Sequence, residues 1–307
     1  MKVRITEVGP RDGLQNEKGI LPSETKIRFV DALSEAGFEE IEVSAFVSPD
    51  RVPQLADAEQ VFAGIRRRDG VLYSALVPNE RGLERALRAR AGKVAVFTAA
   101  SETFNRKNVN ASIQESIDRF VPVVEGARRE SIPVRGYVST AFWCPYEGKI
   151  APEAVVSVVR RLSDLGIHEI SIGDTIGKAV PSEVMTLLDR LLDHVDQDRL
   201  VMHFHDTYGT AIANVLASYE RGVTAFDSSA GGLGGCPFAP GASGNVATED
   251  VLWALTRSGA SVVPDLDRVR AASDLLASAL GRPLRSRVHE ALAAAGPAPD
   301  STSTPRA

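Results

Sequence analysis

Short apolar runs rich in β-branched residues alternate with amphipathic stretches along almost the whole chain, the pattern of repeated strand–helix units that feed a parallel sheet. Strands are predicted over residues 3–8, 39–43, 71–76, 93–97, 134–139, 169–172, 200–205 and 225–229. Between them, residues 24–36, 113–130, 154–165, 182–192 and 210–221 place apolar side chains at three- and four-residue spacing, as an amphipathic helix requires. Two of these runs leave through glycine, at Ala36-Gly37-Phe38 and Leu165-Gly166-Ile167, where the missing Cβ suits a left-handed cap. Eight such units predict an α/β fold of the (β/α)8 TIM barrel type rather than a doubly wound sheet, and no dinucleotide fingerprint follows the first strand. Residues 266–280 and 284–295 read as additional C-terminal helices. The expected organisation is one barrel domain over residues 1–290, C-terminal helices included, and a disordered tail over 291–307 that becomes rich in Pro, Ser and Thr.

Composition narrows the class of function. The 40 acidic and 35 basic side chains are mixed along the chain and leave a net charge of −5, which gives no electrostatic footprint for nucleic acid. No apolar run reaches the roughly 18 residues needed to span a bilayer, and the Met-Lys-Val-Arg-Ile start carries no signal core, so a cytoplasmic protein is expected. The chain has 2 cysteines, Cys144 and Cys236, too few for a disulfide framework. Cys144, flanked by aromatic residues, reads as a buried small hydrophobe.

Chemistry in such barrels sits at the carboxyl ends of the strands, and the unusual residues of this chain collect there. His203 and His205, two of only 5 histidines, stand two apart at the end of the seventh strand, where alternation sends both imidazoles to one side. In a closed barrel the eighth strand neighbours the first and the seventh, so Asp12, His203, His205 and Asn245 come from consecutive staves and are candidates for one metal site. A carboxylate, an amide oxygen and two imidazoles suit Mg²⁺ or Mn²⁺ better than a closed zinc site. Asn245 fits equally the N-cap of a following helix. Asp206 points to the opposite face and reads as a support for the adjoining loop. Arg11, beside Asp12, is placed to hold a developing enolate oxygen or to pair with Glu42. Glu7, Glu42 and Asp174 line the interior or mouth. The glycine-rich segment 231–245 is a lid or an anion cradle, and Cys236 in its middle is a candidate proton donor.

Three long stretches then carry a resemblance: Glu7-Val-Gly-Pro-Arg-Asp-Gly-Leu-Gln-Asn-Glu17, Phe204-His-Asp-Thr-Tyr-Gly209 and the segment 231–250. Over about residues 3–290 the chain resembles hydroxymethylglutaryl-CoA lyases. The resemblance implies divalent-metal-dependent cleavage of 3-hydroxy-3-methylglutaryl-CoA into acetyl-CoA and acetoacetate, the reaction of leucine breakdown and ketone-body formation. It implies Asp12, His203, His205 and Asn245 as ligands and Arg11, Glu42 and Cys236 as catalytic groups. The substrate hydroxyl proton goes to Asp12 or His203, with His203 or a bound water preferred because a carboxylate on a cation is a weak base. Gln15, Lys18 and Asn108, with Arg106 and Lys107, stand at positions suited to the acyl-CoA, and a homodimer is implied. Trp143 occupies a place where a small residue is expected, which predicts an altered acyl pocket. A lyase for a longer branched 3-hydroxyacyl-CoA is the nearest alternative. A condensing enzyme of the isopropylmalate synthase type and a non-catalytic acyl-CoA-binding barrel are more distant ones.

Overall fold

Parallel pairing of the first strand with the last closes the sheet. The computed structural model describes residues 1–235 and 244–295. Among these residues eight parallel strands form the barrel: β1 (Lys2–Glu7), β2 (Glu40–Ala45), β3 (Leu72–Leu76), β4 (Lys93–Ala99), β5 (Val134–Ser139), β6 (Glu169–Asp174), β7 (Leu200–Phe204) and β8 (Ala225–Ser228). At the closure Thr6 is in register with Asp227 and Glu7 with Ser228. Outside the staves run α1 (Ser23–Glu35), α2 (Ala58–Gly64), α3 (Glu80–Arg88), α4 (Glu102–Val109), α5 (Ile113–Arg129), α6 (Pro152–Asp164), α7 (Pro181–Leu192), α8 (Ala211–Glu220) and α9 (Thr248–Arg257). A short hairpin, Trp143–Cys144 with Gly148–Lys149, is inserted between β5 and α6.

Local chemistry starts these helices where the periodicity begins. Ser112 and Glu115 form a reciprocal capping box at α5, the Glu115 N–H donating to Ser112 Oγ at 3.1 Å and the Ser112 N–H to Glu115 Oε2 at 2.7 Å. Ile113, Ile117, Phe120 and Val124 then bury one face. Beyond the barrel come α10 (Leu266–Leu280) and α11 (Arg287–Ala295). The last helix starts three residues later than predicted, because the Asp250 carboxylate accepts from Ser286 Oγ and from the N–H groups of Arg287 and Val288 and so sets its N-terminus. It also continues past the expected boundary at 290, and residues 296–307 of the predicted tail lie outside the described residues.

The apolar core fills the layer between barrel and helices, with Phe29, Leu33, Ile41, Leu162, Ile170 and Phe226 almost fully buried. The barrel interior differs from the usual stacked Val, Ile and Leu layers. Its lower part is ionic: Lys93 Nζ reaches Glu40 Oε2 at 2.9 Å and Glu169 Oε1 at 2.5 Å, Arg4 reaches Glu169 Oε2 at 2.5 Å, and Arg135 contacts Glu169 and reaches Asp227 Oδ1 at 2.8 Å. Burial pushes the Glu169 carboxyl up, but Arg135, Lys93 and Arg4 outweigh it and hold the group far below the usual carboxylate range. Higher up, on the β2–β5 side, a small apolar cluster of Ala45, Leu55, Leu76, Ala95 and Tyr137 stands apart from the main core.

At the exit of β8, Gly231 has φ +65°, and a Cβ there would lie 2.3 Å from Leu284 Cδ1. The Arg285 N–H also donates to the Gly231 carbonyl at 2.8 Å, so the segment before α11 is seated on the start of the glycine-rich loop. Gly231→Ala is expected to cost about 1–3 kcal/mol through overpacking and backbone strain. Urea unfolding reads this as a lower midpoint with unchanged slope, and an unaltered midpoint would show that the 284–285 segment yields freely.

Candidate active site

The chain turns sharply as it leaves β1. One π-helical turn, Gly9–Gly13, directs the N–H groups of Arg11, Asp12 and Gly13 at the Val8 carbonyl, at 3.1, 2.8 and 3.2 Å. The turn passes so close to its own strand that a Cβ on Gly9 would stand 2.6 Å from Glu7 Oε1. This geometry buries Arg11 and Asp12 at the barrel mouth. Arg11 Nε donates to Glu42 Oε2 at 2.6 Å and its Nη1 to Asp12 Oδ1 at 2.5 Å, while the guanidinium lies 5.3 Å from the Tyr137 ring centre. Burial works against the charge on Arg11, but Glu42 and Asp12 more than offset it and hold the group cationic. Among the described residues Glu42 Oε1 has no hydrogen-bond partner.

His203 belongs to β7, and His205, one residue past the strand end, is bridged to Asn245. The imidazole centres are 5.3 Å apart, and each Nε2 lies 4.0 Å from Asp12 Oδ2. Candidate ligand atoms of Asp12, His203 and His205 all fall within 4.8 Å of one another. Two ligands of one ion with bonds of about 2.1 Å stand roughly 3 to 4.2 Å apart, so the cluster is close to cation-holding dimensions. Burial, then the neighbouring His203, pushes His205 down to about 4, which leaves its ring neutral at ordinary pH. For His203 burial favours the neutral ring, but the hydrogen bond and charge of Asp227 and the charge of Asp12 raise it above the usual range. Asp12 is pushed up by burial and drawn down further by Arg11, His203 and His205.

Asn245 is not a helix cap: α9 begins at Thr248, with Ala247 at its N-cap. Its Nδ2 donates to Asp12 Oδ2 at 2.8 Å and to the Leu233 carbonyl at 3.2 Å, and Oδ1 is buried with no partner among the described residues. An unpaired buried amide oxygen beside a carboxylate and two imidazoles is what a site made for a cation contains, and the donor set fits one.

The other predicted residues separate into groups. Gln15 donates to Asp12 Oδ1 at 2.9 Å and so braces the carboxylate as well as lining the cavity. Asn108 is exposed and lines the cavity at its rim, whereas Lys18 is exposed and is not among the lining residues. Glu7 accepts from the N–H groups of Gly9 and Ala230 and from the Thr248 hydroxyl, tying the β1 turn to the end of β8. Burial lifts its carboxyl to about 8 against those hydrogen bonds. Asp174, which burial lifts to about 6, accepts from the N–H groups of Lys178 and Ala179 and so shapes the turn after β6. Asp206 accepts from the Ala211 N–H at 3.0 Å and supports the loop before α8, as expected. Cys144 is buried, with its sulfur 3.0 Å from Ser101 Oγ. Trp143 corrects the sequence reading: it is absent from the cavity lining, its Nε1 donates to Glu183 at 3.1 Å, and Lys178 Nζ covers the ring at 4.0 Å. Cys236 lies outside the described residues; Gly235, which precedes it, lines the cavity and accepts from Asn16 Nδ2 at 3.0 Å.

Sequence reasoning missed Asp227, Arg135 and Tyr137. The available signal was a charged residue at an inward position of an otherwise apolar strand, as in Val134-Arg135-Gly136-Tyr137 and Ala225-Phe226-Asp227.

All of this opens on a cavity of about 1020 Å³ at the carboxyl ends of the strands. The HMGL-like family model matches residues 2–276. The chain belongs to the HMGL-like family. Among curated members, a Pseudomonas aeruginosa 3-hydroxy-3-isohexenylglutaryl-CoA/hydroxymethylglutaryl-CoA lyase is 50% identical, over 95% of this chain and 98% of the relative. The cytoplasmic 3-hydroxy-3-methylglutaryl-CoA lyase of Rattus norvegicus is 49% identical, over 94% of this chain and 84% of its own. A crystal structure of hydroxymethylglutaryl-CoA lyase from P. aeruginosa superimposes with a TM-score of 0.94 at 49% identity, covering 96% of this chain and 98% of the other. An HMG-CoA lyase from A. baumannii in complex with coenzyme A and 3-methylmalate gives 0.91 at 40% identity, covering 99% and 98%. The barrel of this HMGL-like chain is thus the barrel of those lyases. Among the described residues no helix is long and apolar enough to cross a membrane.

Proposed function

We propose that this HMGL-like chain is a divalent-metal-dependent hydroxymethylglutaryl-CoA lyase, cleaving 3-hydroxy-3-methylglutaryl-CoA to acetyl-CoA and acetoacetate. The observation that carries the reading is the Asp12, His203 and His205 cluster with a buried guanidinium at its edge, inside one strand-end cavity. Asp12, His203, His205 and the amide oxygen of Asn245 hold the ion, and the oxygen-rich half of that set favours Mg²⁺ or Mn²⁺. When bound, such an ion supplies Lewis-acid polarisation of the substrate's C3 hydroxyl and orients its free carboxylate.

In the cleavage the C3 hydroxyl loses its proton to the Asp12 carboxylate at the edge of the cluster and the C2–C3 bond breaks. Its electron pair passes to the thioester as an enolate, and acetoacetate departs as a ketone. Arg11, held rigidly between Glu42 and Asp12, offers its remaining N–H groups to the enolate oxygen. Glu42, with one carboxylate oxygen that has no partner among the described residues, and Cys236, next in the chain after the cavity-lining Gly235, supply the proton that returns to carbon. Arg51, Lys107, Asn108 and Arg119 at the cavity rim receive the CoA portion. The family resemblance adds a homodimer, and the likeness to cytoplasmic 3-hydroxy-3-methylglutaryl-CoA lyases supports a cytoplasmic location.

The test is kcat/KM for a panel of 3-hydroxyglutaryl-CoA esters with Mg²⁺ or Mn²⁺, with and without EDTA. Acetoacetate formed from the methyl ester and abolished by EDTA is the expected result. Its complete absence across the panel would leave a barrel that only binds acyl-CoA.

One feature favours a second reading, a lyase with room for longer C3 branches. Ala45, Val47, Val52, Leu76 and Phe97 give the cavity an apolar wall on the β2–β4 side, across the mouth from Asp12 and His203. Filling that wall with Ala45→Leu is expected to lower kcat/KM for a long-branched ester about 10- to 200-fold relative to the methyl ester. An unchanged ratio would remove the wall from branch recognition.

A further inference from the structure

His203 and Asp227 occupy neighbouring staves in direct register, so both side chains point into the barrel side by side. His203 Nδ1 lies 3.2 Å from Asp227 Oδ2. The carboxylate is almost wholly buried, and its other neighbours are donors: Arg135 Nη1 reaches Oδ1 at 2.8 Å and Ser171 Oγ reaches Oδ2 at 2.8 Å. Arg135 is itself held from below, by its contact with Glu169 and by a 3.0 Å bond from Nη2 to Thr6 Oγ1. A carboxylate flanked by a guanidinium and a hydroxyl has only acceptor capacity to offer the ring.

We infer that Asp227 is a positioning residue: it fixes His203 as the tautomer protonated on Nδ1 and turns the Nε2 lone pair toward Asp12. The inference rests on the reading that Asp12, His203 and His205 hold a divalent cation. It narrows the role expected for His203, because Nδ1 is closed as a proton acceptor and the one ring nitrogen with a lone pair faces the ligand cluster. Among the described residues His205 has no such carboxylate behind it, as its Nδ1 makes no hydrogen bond to a side chain. The two imidazoles therefore differ in kind: one is braced by a buried ionic column running through Arg135 to the barrel floor, and the other is held by burial and the bridge to Asn245.

The experiment has two arms on the full chain. In the metal-free wild type, titrated to alkaline pH until the His203 ring is neutral, ¹⁵N–¹H correlation of the histidine rings, with His203→Gln for assignment, is expected to show an exchange-protected Nδ1–H at His203. An Nε2–H tautomer there overturns the inference. In the second arm Asp227→Asn, folded by circular dichroism, is expected to bind Mn²⁺ about 10- to 100-fold more weakly by calorimetry while the His205 signals stay in place. Wild-type affinity in that variant overturns the inference as well. Should Asp227→Asn not fold, with Arg135 left short of a counter-charge, the wild-type tautomer decides alone. Failure of the cation reading looks different: the wild type then binds no Mn²⁺ at all.

Discussion

Arg11→Met lowers kcat by about 10²- to 10³-fold, with a much smaller change in KM. Arg11 is buried against Glu42 and Asp12 and cannot swing in from solvent, so its charge is in place before the enolate forms and no reorganisation is needed when it does. Methionine keeps the length and removes the charge. It also leaves two buried carboxylates without their counter-ion, a loss of about 3–5 kcal/mol in a folded domain. Rates must therefore be expressed per site that still binds Mn²⁺. A raised KM with intact kcat would make Arg11 a residue of ground-state binding, and the enolate would need another partner.

Removing the ion is the second large effect. Chelation by EDTA is expected to lower turnover by at least about 10³-fold, the equivalent of the several kcal/mol that Lewis-acid charge stabilisation supplies. Re-addition of Mg²⁺ or Mn²⁺ restores it. His205→Ala should reproduce most of this loss, because the cluster then keeps one imidazole and Asp12 in a pocket built for more. The neutral state of His205 means that its lone pair is available without displacing a proton. Full activity in EDTA, or wild-type Mn²⁺ affinity in His205→Ala, would sink the metal-centre reading.

Much of the architecture was legible. Strand and helix periods are local properties, and the eight units, the C-terminal helices and the strand-end placement of Asp12, His203 and His205 follow from alternation along each segment. Two single residues were beyond the reach of local pattern for a shared reason. For Asn245 the sequence leaves a cap and a ligand open, and for Trp143 its neighbours in sequence suggest an acyl pocket. Which side of the barrel wall each faces depends on how far apart the turns place them: Asn245 falls beside Asp12, and Trp143 is drawn out to Glu183 and Lys178.

By itself, the sequence determined the order of elements, the barrel class and the side chains that could hold a cation, since each of these depends on spacing within one segment. Only the tertiary structure decided that the barrel interior is an ionic column instead of an aliphatic one, and that Asp227 stands behind His203. Those facts depend on inter-strand register, with Asp227 beside His203 and Arg135 beside Glu169. Register is set by closure of the whole sheet, a non-local property that no window of residues carries.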